Sequence, residues 1–478
     1  MAYPSRDLMA AVAATRFGLG ARPGEIEAAR SDPQGWLSGQ IVARGADLSV
    51  ATSELSARRI AGFRNFRADR REQRRDMAEL KAGDMADSGM APAKDPVQVT
   101  RGMIREGAAE DFLLRARLGA STDASFRERW ALFWCNHFTV SGIKLLTAVT
   151  VGPFEQEAIR PRVFGRFEDL LIASSAHPAM LLYLDQAQST GPGSRLGMAL
   201  AKRPNLNNRN GGLNENLARE ILELHTVGVG GGYSQADVTE FARCLTGWGV
   251  GNQREPEKFG QFVFRDTAHE PGDRTVLGRR YEDSGVDQAT AVMKDLAADP
   301  KTARFVCGKI ARHFVSDVPP PALVDDLEQA WLSSGGNLSE VAMSLVASPH
   351  AWAPEPSKFK TPYEFLISAY RAIGGQPGAI EHLAPTLNGL GQKAYSPPSP
   401  KGWPDESAYW ATPDALIKRM AWAEAFSAQV APERDPGAIA RTALGERLSE
   451  RTGKAVARAE SRPEALSLLL MSPEFQRR

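Results

Sequence analysis

Apolar residues return every three or four positions along most of this chain, the spacing of helices that bury one face. The pattern is sharpest in GGLNENLAREILELHTVGVGGGYSQADVTEFARCLTGW at 211–248. Advanced at about 100° per residue, Leu217, Ala218, Ile221, Leu222, Leu224 and His225 fall on one side of the first helix. Glu215, Asn216, Arg219, Glu220 and Glu223 fall on the other. Asn214 stands where an N-cap belongs, and the glycines from Gly228 stop the helix. Ser234, with Asp237 behind it, predicts a capped second helix.

The same periodicity predicts helices over 5–18, 24–41, 52–82, 98–119, 123–138 and two within 153–184. It continues over 287–298, 300–315, 320–334, 338–347, 361–374 and 412–428. Alternation appears only in QFVFR (261–265) and RTVLGRRY (274–281), which predict a hairpin with His269 and Asp273 at its tip. The fold class is therefore mainly α: a large, bundle-like multi-helix core with one or two small β-hairpins. Three regions are expected, with N-terminal helices over 1–97, a central core over 98–360 and C-terminal helices over 361–478. Residues 98–185 and 214–350 are expected to pack as one core that the others wrap.

Breaks in periodicity mark the connections. GDMADSGMAPAKDP (83–96) reads as a linker. STGPGSRLGMALAKRPNLNNRNGG (189–212) runs into the Glu-rich helix and reads as a lid over it. YSPPSPKGWPDESAYW (395–410) reads as extended backbone packed on a surface.

Composition narrows the function classes. The 478 residues are 42% hydrophobic with a formal net charge of +1, so no global field argues for nucleic acid. The arginine-rich stretch within 52–82 interleaves Asp and Glu and reads as a solvated helix face. No window approaches the roughly 18 apolar residues of a membrane span. No secretory signal opens the chain, so as written it is expected in the cytoplasm. Cys135, Cys244 and Cys307 are far apart, each within an apolar helical pattern, and read as core residues.

Two readings of the polar stripe stand side by side. Glu215 to Arg219 and Arg219 to Glu223 are i,i+4 pairs that support an exposed helix by about 0.3 kcal/mol each. Alternatively Asn216, Glu220 and Glu223 face a cleft, as oxygen ligands for a divalent cation or as an acid–base pair. Asn136–His137 closes the aromatic helix Phe126, Trp130, Phe133, Trp134 and can add ligands, as can His269. In the enzymatic reading, a metal-assisted hydrolase or transferase, Glu220 and Glu223 bind the cation or act as base. His137 or His269 is a ligand or proton shuttle, and Arg219 pairs with an anionic substrate group. The metal candidates are Asn136, Asn216, Glu220 and His269. The rival reading is a non-catalytic partner or scaffold, in which these groups scatter into local caps and ion pairs. His225, on the apolar side, is expected to be a buried neutral imidazole bonded to a carbonyl or nearby side chain.

Several segments together resemble the bacterial domain-of-unknown-function family numbered 1800. They are RERWALFWCNHFTVSG, the 214–248 stretch, FVFRDTAHEPGDRTVLG, PKTARFVCGKIARHFVSD, KFKTPYEFL, GWPDESAYW and LLLMSPEFQRR. The chain departs at Cys135, where the family pattern more often shows His or another polar residue. The resemblance implies a mostly helical protein, often exported or periplasmic, encoded beside a sulfatase-like partner. It implies no established reaction.

Overall fold

The structure is a computed structural model that describes residues 3–49, 56–64, 96–202, 212–431 and 433–478. Residues 65–82 of the charged stretch, 83–95 of the linker and 203–211 of the lid segment lie outside the described residues. Among the described residues no helix is long and apolar enough to cross a membrane.

The chain is mainly α, as its periodicity predicts, and the helix Ser125–His137 lies at its centre. This helix carries aromatic residues on one side and charges on the other, yet both sides are buried. Trp130 packs against Phe126, Trp134, Phe164 and Phe314. The charged side is sealed by ion pairs: Glu128 takes a two-pronged contact from Arg160 at 2.8 Å, and Arg129 meets Glu364 at 3.1 Å. Burying charge is tolerated here because each has a partner at hydrogen-bond range.

Three short segments beside this helix wind one residue wider than an α-helix: Ala13–Phe17, Glu155–Ile159 and Ile221–His225. Such i→i+5 turns re-aim the side chains they carry. Pro362–Ala372, started by a Thr361/Glu364 capping box, is buried on nearly every side. The C-terminal region thus enters the core, and the apolar core is continuous from Met9 to Phe475.

Both small sheets are antiparallel, but their pairing corrects the expected hairpin. β1 (Trp248–Val250) pairs with β2 (Phe262–Phe264), and β3 (Arg274–Val276) pairs with β4 (Arg279–Tyr281). The 274–281 segment closes on itself because Leu277 and Gly278 adopt φ +50° and +77°, the geometry of a two-residue turn. His269 therefore leaves the hairpin tip and is buried, while Asp273 pairs with Arg280.

Candidate functional site

The residues singled out in the sequence divide among separate surroundings. Asn136 is a clamp. Its Nδ2 donates to the Trp403 carbonyl at 3.0 Å and its Oδ1 accepts from the Trp403 amide at 2.8 Å. Gly402 makes the approach possible. Its φ is +86°, and a Cβ there would sit 2.6 Å from the Asn136 carbonyl oxygen. His137 is buried, donates from Nε2 to the His225 carbonyl at 3.1 Å, and accepts at Nδ1 from Lys309 Nζ at 2.9 Å, the tautomer this network requires. Burial, then Lys309 and His225, push its pKa well below 6.5, so it is neutral. Two helix C-termini meet here, at His137 and His225, and the Lys309 ammonium answers their negative ends. Burial lowers Lys309 to about 8.

His225 is buried and neutral as expected, its pKa pushed down to about 3 by burial. Among the described residues its Nδ1 has no partner, and it is the backbone carbonyl of His225 that is bonded.

The helix Asn216–Glu220 and the wide turn after it keep Glu220 and Glu223 together, both half-buried. Burial, then the charge of Glu223, raise the Glu220 pKa. Burial, then the nearby Glu223, raise the Tyr233 pKa to about 12. Arg219 is held by Glu215 at 3.2 Å and Glu223 at 3.5 Å, the two pairs the spacing predicts. Asn216 is exposed, its amide bonded to Asn214 Oδ1. His269 lies elsewhere: Nδ1 donates to the Thr246 carbonyl at 2.9 Å, and its ring meets Phe264. It shares no partner with Asn136, His137 or Glu220. Among the described residues no three His, Cys, Asp or Glu side chains come together as a metal-ligand set.

A different centre lies behind the Asn136–Trp403 clamp. A cavity of about 110 Å³ is walled by the central helix, the helix Pro300–Phe314 and the Trp/Pro loop. His313 lines it and donates from Nδ1 to Asp405 Oδ1 at 3.1 Å, which leaves Nε2 buried without a partner among the described residues. Burial pushes the His313 pKa down to about 4 against the pull of Asp405, so the imidazole is neutral near pH 7. Burial opposes ionisation of Asp405 too, but His313, Lys358 and Arg478 outweigh it and hold the carboxylate well below its usual range. Arg115, also in the lining, pairs with Glu155 at 2.6 Å. Its guanidinium lies over the rings of Phe112, Tyr363 and Tyr395 at 4.8, 4.8 and 5.1 Å. Cys135 also lines this space, and burial, then Glu155, raise its thiol well above 9, so it is no thiolate nucleophile at neutral pH.

Residues 12–477 match the model of the family described as protein of unknown function, DUF1800. The chain belongs to DUF1800. No curated protein and no solved structure matches it significantly. In this DUF1800 chain, five of the seven segments that carry the resemblance meet in one network of ion pairs. Arg129 and Arg478 both meet Glu364, and Lys358 meets Asp317 and Asp405. His313 and Asp405 were not singled out in the sequence, where 92 positions separate them. The signal for Asp405 was a carboxylate inside an aromatic, proline-rich loop, where a charge is costly unless paired. His313 falls in an ordinary amphipathic helix and carried no such signal.

Proposed function

We propose that the protein is a hydrolase or transferase in which neutral His313, oriented by Asp405, acts as general base in the buried cavity. The carrying observation is the unpartnered Nε2 of His313 in a cavity wall, with Nδ1–H committed to an ionised carboxylate. That is the division of labour a general base needs: one nitrogen held, the other free to take a proton. Nε2 would remove the proton of an attacking hydroxyl or water as that oxygen bonds to the substrate. Asp405 would stabilise the imidazolium until the proton passes to the leaving group. Among the described residues no convergent ligand set supports the metal-assisted version.

A second reading keeps one specific observation. Asn136 and His269 serve as local clamps on Trp403 and Thr246, as a non-catalytic scaffold for a sulfatase-like partner would use them. Turnover decides between the two. A panel of small ester, amide and glycoside substrates is assayed with the wild type, His313→Gln and Asp405→Asn. Loss of a general base costs about 10²–10⁴-fold, so His313→Gln is expected to lose at least a hundredfold in kcat/KM while staying folded. Equal turnover by all three proteins removes His313 as the base, and no turnover by the wild type favours the scaffold.

A further inference from the structure

The Tyr395 wall of the cavity has no role in proton transfer, yet its construction is unusual. Tyr395 has φ +48°, a left-handed conformation that a bulky residue avoids. The backbone is held there from both sides: Gly142 N donates to the Tyr395 carbonyl at 2.7 Å, and Ser141 Oγ donates to the Pro397 carbonyl at 2.9 Å. The ring is fixed edge-on to Phe112 at 5.1 Å and lies beneath the Arg115 guanidinium. All this places a hydroxyl that is buried and has no partner among the described residues, on a residue only 9% exposed. Four more of the lining residues carry a buried polar atom without a partner: Arg115 Nε, Arg129 Nε, Glu155 Oε2 and His313 Nε2. Backbone outliers held by their surroundings cluster at ligand sites, and buried polar groups ordinarily find partners.

The chemistry of the walls narrows the ligand. With His313 neutral, the lining carries three cations, Arg115, Arg129 and Lys393, and three carboxylates, Glu155, Glu364 and Asp405, and all but the exposed Lys393 are paired: Arg115 with Glu155, Arg129 with Glu364, Asp405 with Lys358. No net charge is left to select an ion. What remains are donors (the two guanidinium Nε–H groups), acceptors (Glu155 Oε2, His313 Nε2) and one group that is both, the tyrosine hydroxyl. An apolar cavity of about 150 Å³ holds a benzene, so 110 Å³ suits a molecule of about six heavy atoms or fewer. We propose that the Tyr395 hydroxyl is the positioning group for a neutral, hydroxyl-bearing ligand of glycerol size. This rests on the cavity being the reaction site. It adds the substrate class, a small polyol whose reacting hydroxyl is delivered to His313 Nε2.

Glycerol is the probe, titrated onto the full chain and followed by saturation-transfer NMR, which needs no turnover. The wild type is expected to transfer saturation to glycerol, and Tyr395→Phe to bind it at least tenfold more weakly. Because the hydroxyl has no protein partner, Tyr395→Phe is also expected to melt no lower than the wild type. Tyr363→Phe is the control: it lines the same cavity, but its hydroxyl already donates to the Arg115 carbonyl, and glycerol binding should persist. No transfer in the wild type overturns the proposal, since the cavity then holds water. Equal binding by Tyr395→Phe, equal loss in both variants, or a lowered Tm for Tyr395→Phe overturns it as well. Glycerol binding with normal turnover in His313→Gln sinks the general-base reading alone. Turnover lost in His313→Gln without glycerol binding sinks the ligand class alone.

Discussion

Replacing Asn136 with Ala separates a clamp from a ligand. The side chain makes two hydrogen bonds to the Trp403 backbone, at 3.0 and 2.8 Å, and nothing else in the described residues bonds those two Trp403 groups. A net contribution of about 0.5–1.5 kcal/mol per bond gives a loss of about 1–3 kcal/mol. The half-buried Trp403 amide and carbonyl place the cost toward the upper end when water reaches them poorly. Trp403 is two residues from Asp405, so the same change slackens the segment that orients His313. The assay is a urea titration of wild type and Asn136→Ala, read as the shift in midpoint at unchanged slope, with the metal content of both proteins measured in parallel. A lower midpoint with identical metal content fits the clamp. An unchanged midpoint with metal lost from the variant would refute it and restore Asn136 as a ligand.

Three further outcomes follow from the same geometry. His225→Ala is expected to cost about 1–3 kcal/mol at neutral pH through the cavity it leaves. Its folded pKa is depressed, so the wild type loses stability as pH falls from about 6.5 toward 3, and the gap to His225→Ala should narrow in acid. A thermal-melt series that keeps the gap constant with pH would contradict this. The Glu220 pKa is raised, so its folded form favours the proton: that stability is present in acid and lost as pH rises. Glu220→Gln should therefore melt higher than the wild type at pH 7, with the gain vanishing below about pH 4; a lower melting temperature at pH 7 would show that the carboxylate is needed charged.

Much of the fold was written in local pattern. The 214–227 stripe placed Ile221, Leu222 and His225 inside, and the Ser234/Asp237 pair capped the next helix as its spacing predicts. What failed was non-local. β2 chose β1 over the nearer 274–281 strand because the Leu277–Gly278 turn let that segment pair with itself. The helix Ser125–His137 buries its charged side only because Arg160, Asp47 and Glu364 arrive from distant positions, which periodicity cannot show. The wide turns are illegible for a related reason: one extra residue per turn hardly disturbs a five-residue apolar pattern. The dyad was hidden because its histidine and aspartate belong to different elements. The carboxylates that did stand out, Glu220 and Glu223, did so through a helical spacing that surface ion pairs share.

The most direct test is the protonation state of His313 itself. Histidine-selective ¹⁵N labelling and long-range ¹H–¹⁵N correlation report which ring nitrogen carries the proton, with His313→Gln assigning the signal. At pH 7 a neutral ring protonated at Nδ1, with Nε2 bare, is expected, and Asp405→Asn should disturb that state. A ring that is cationic at pH 7, or neutral with its proton on Nε2, would leave no base in the cavity and contradict the proposal.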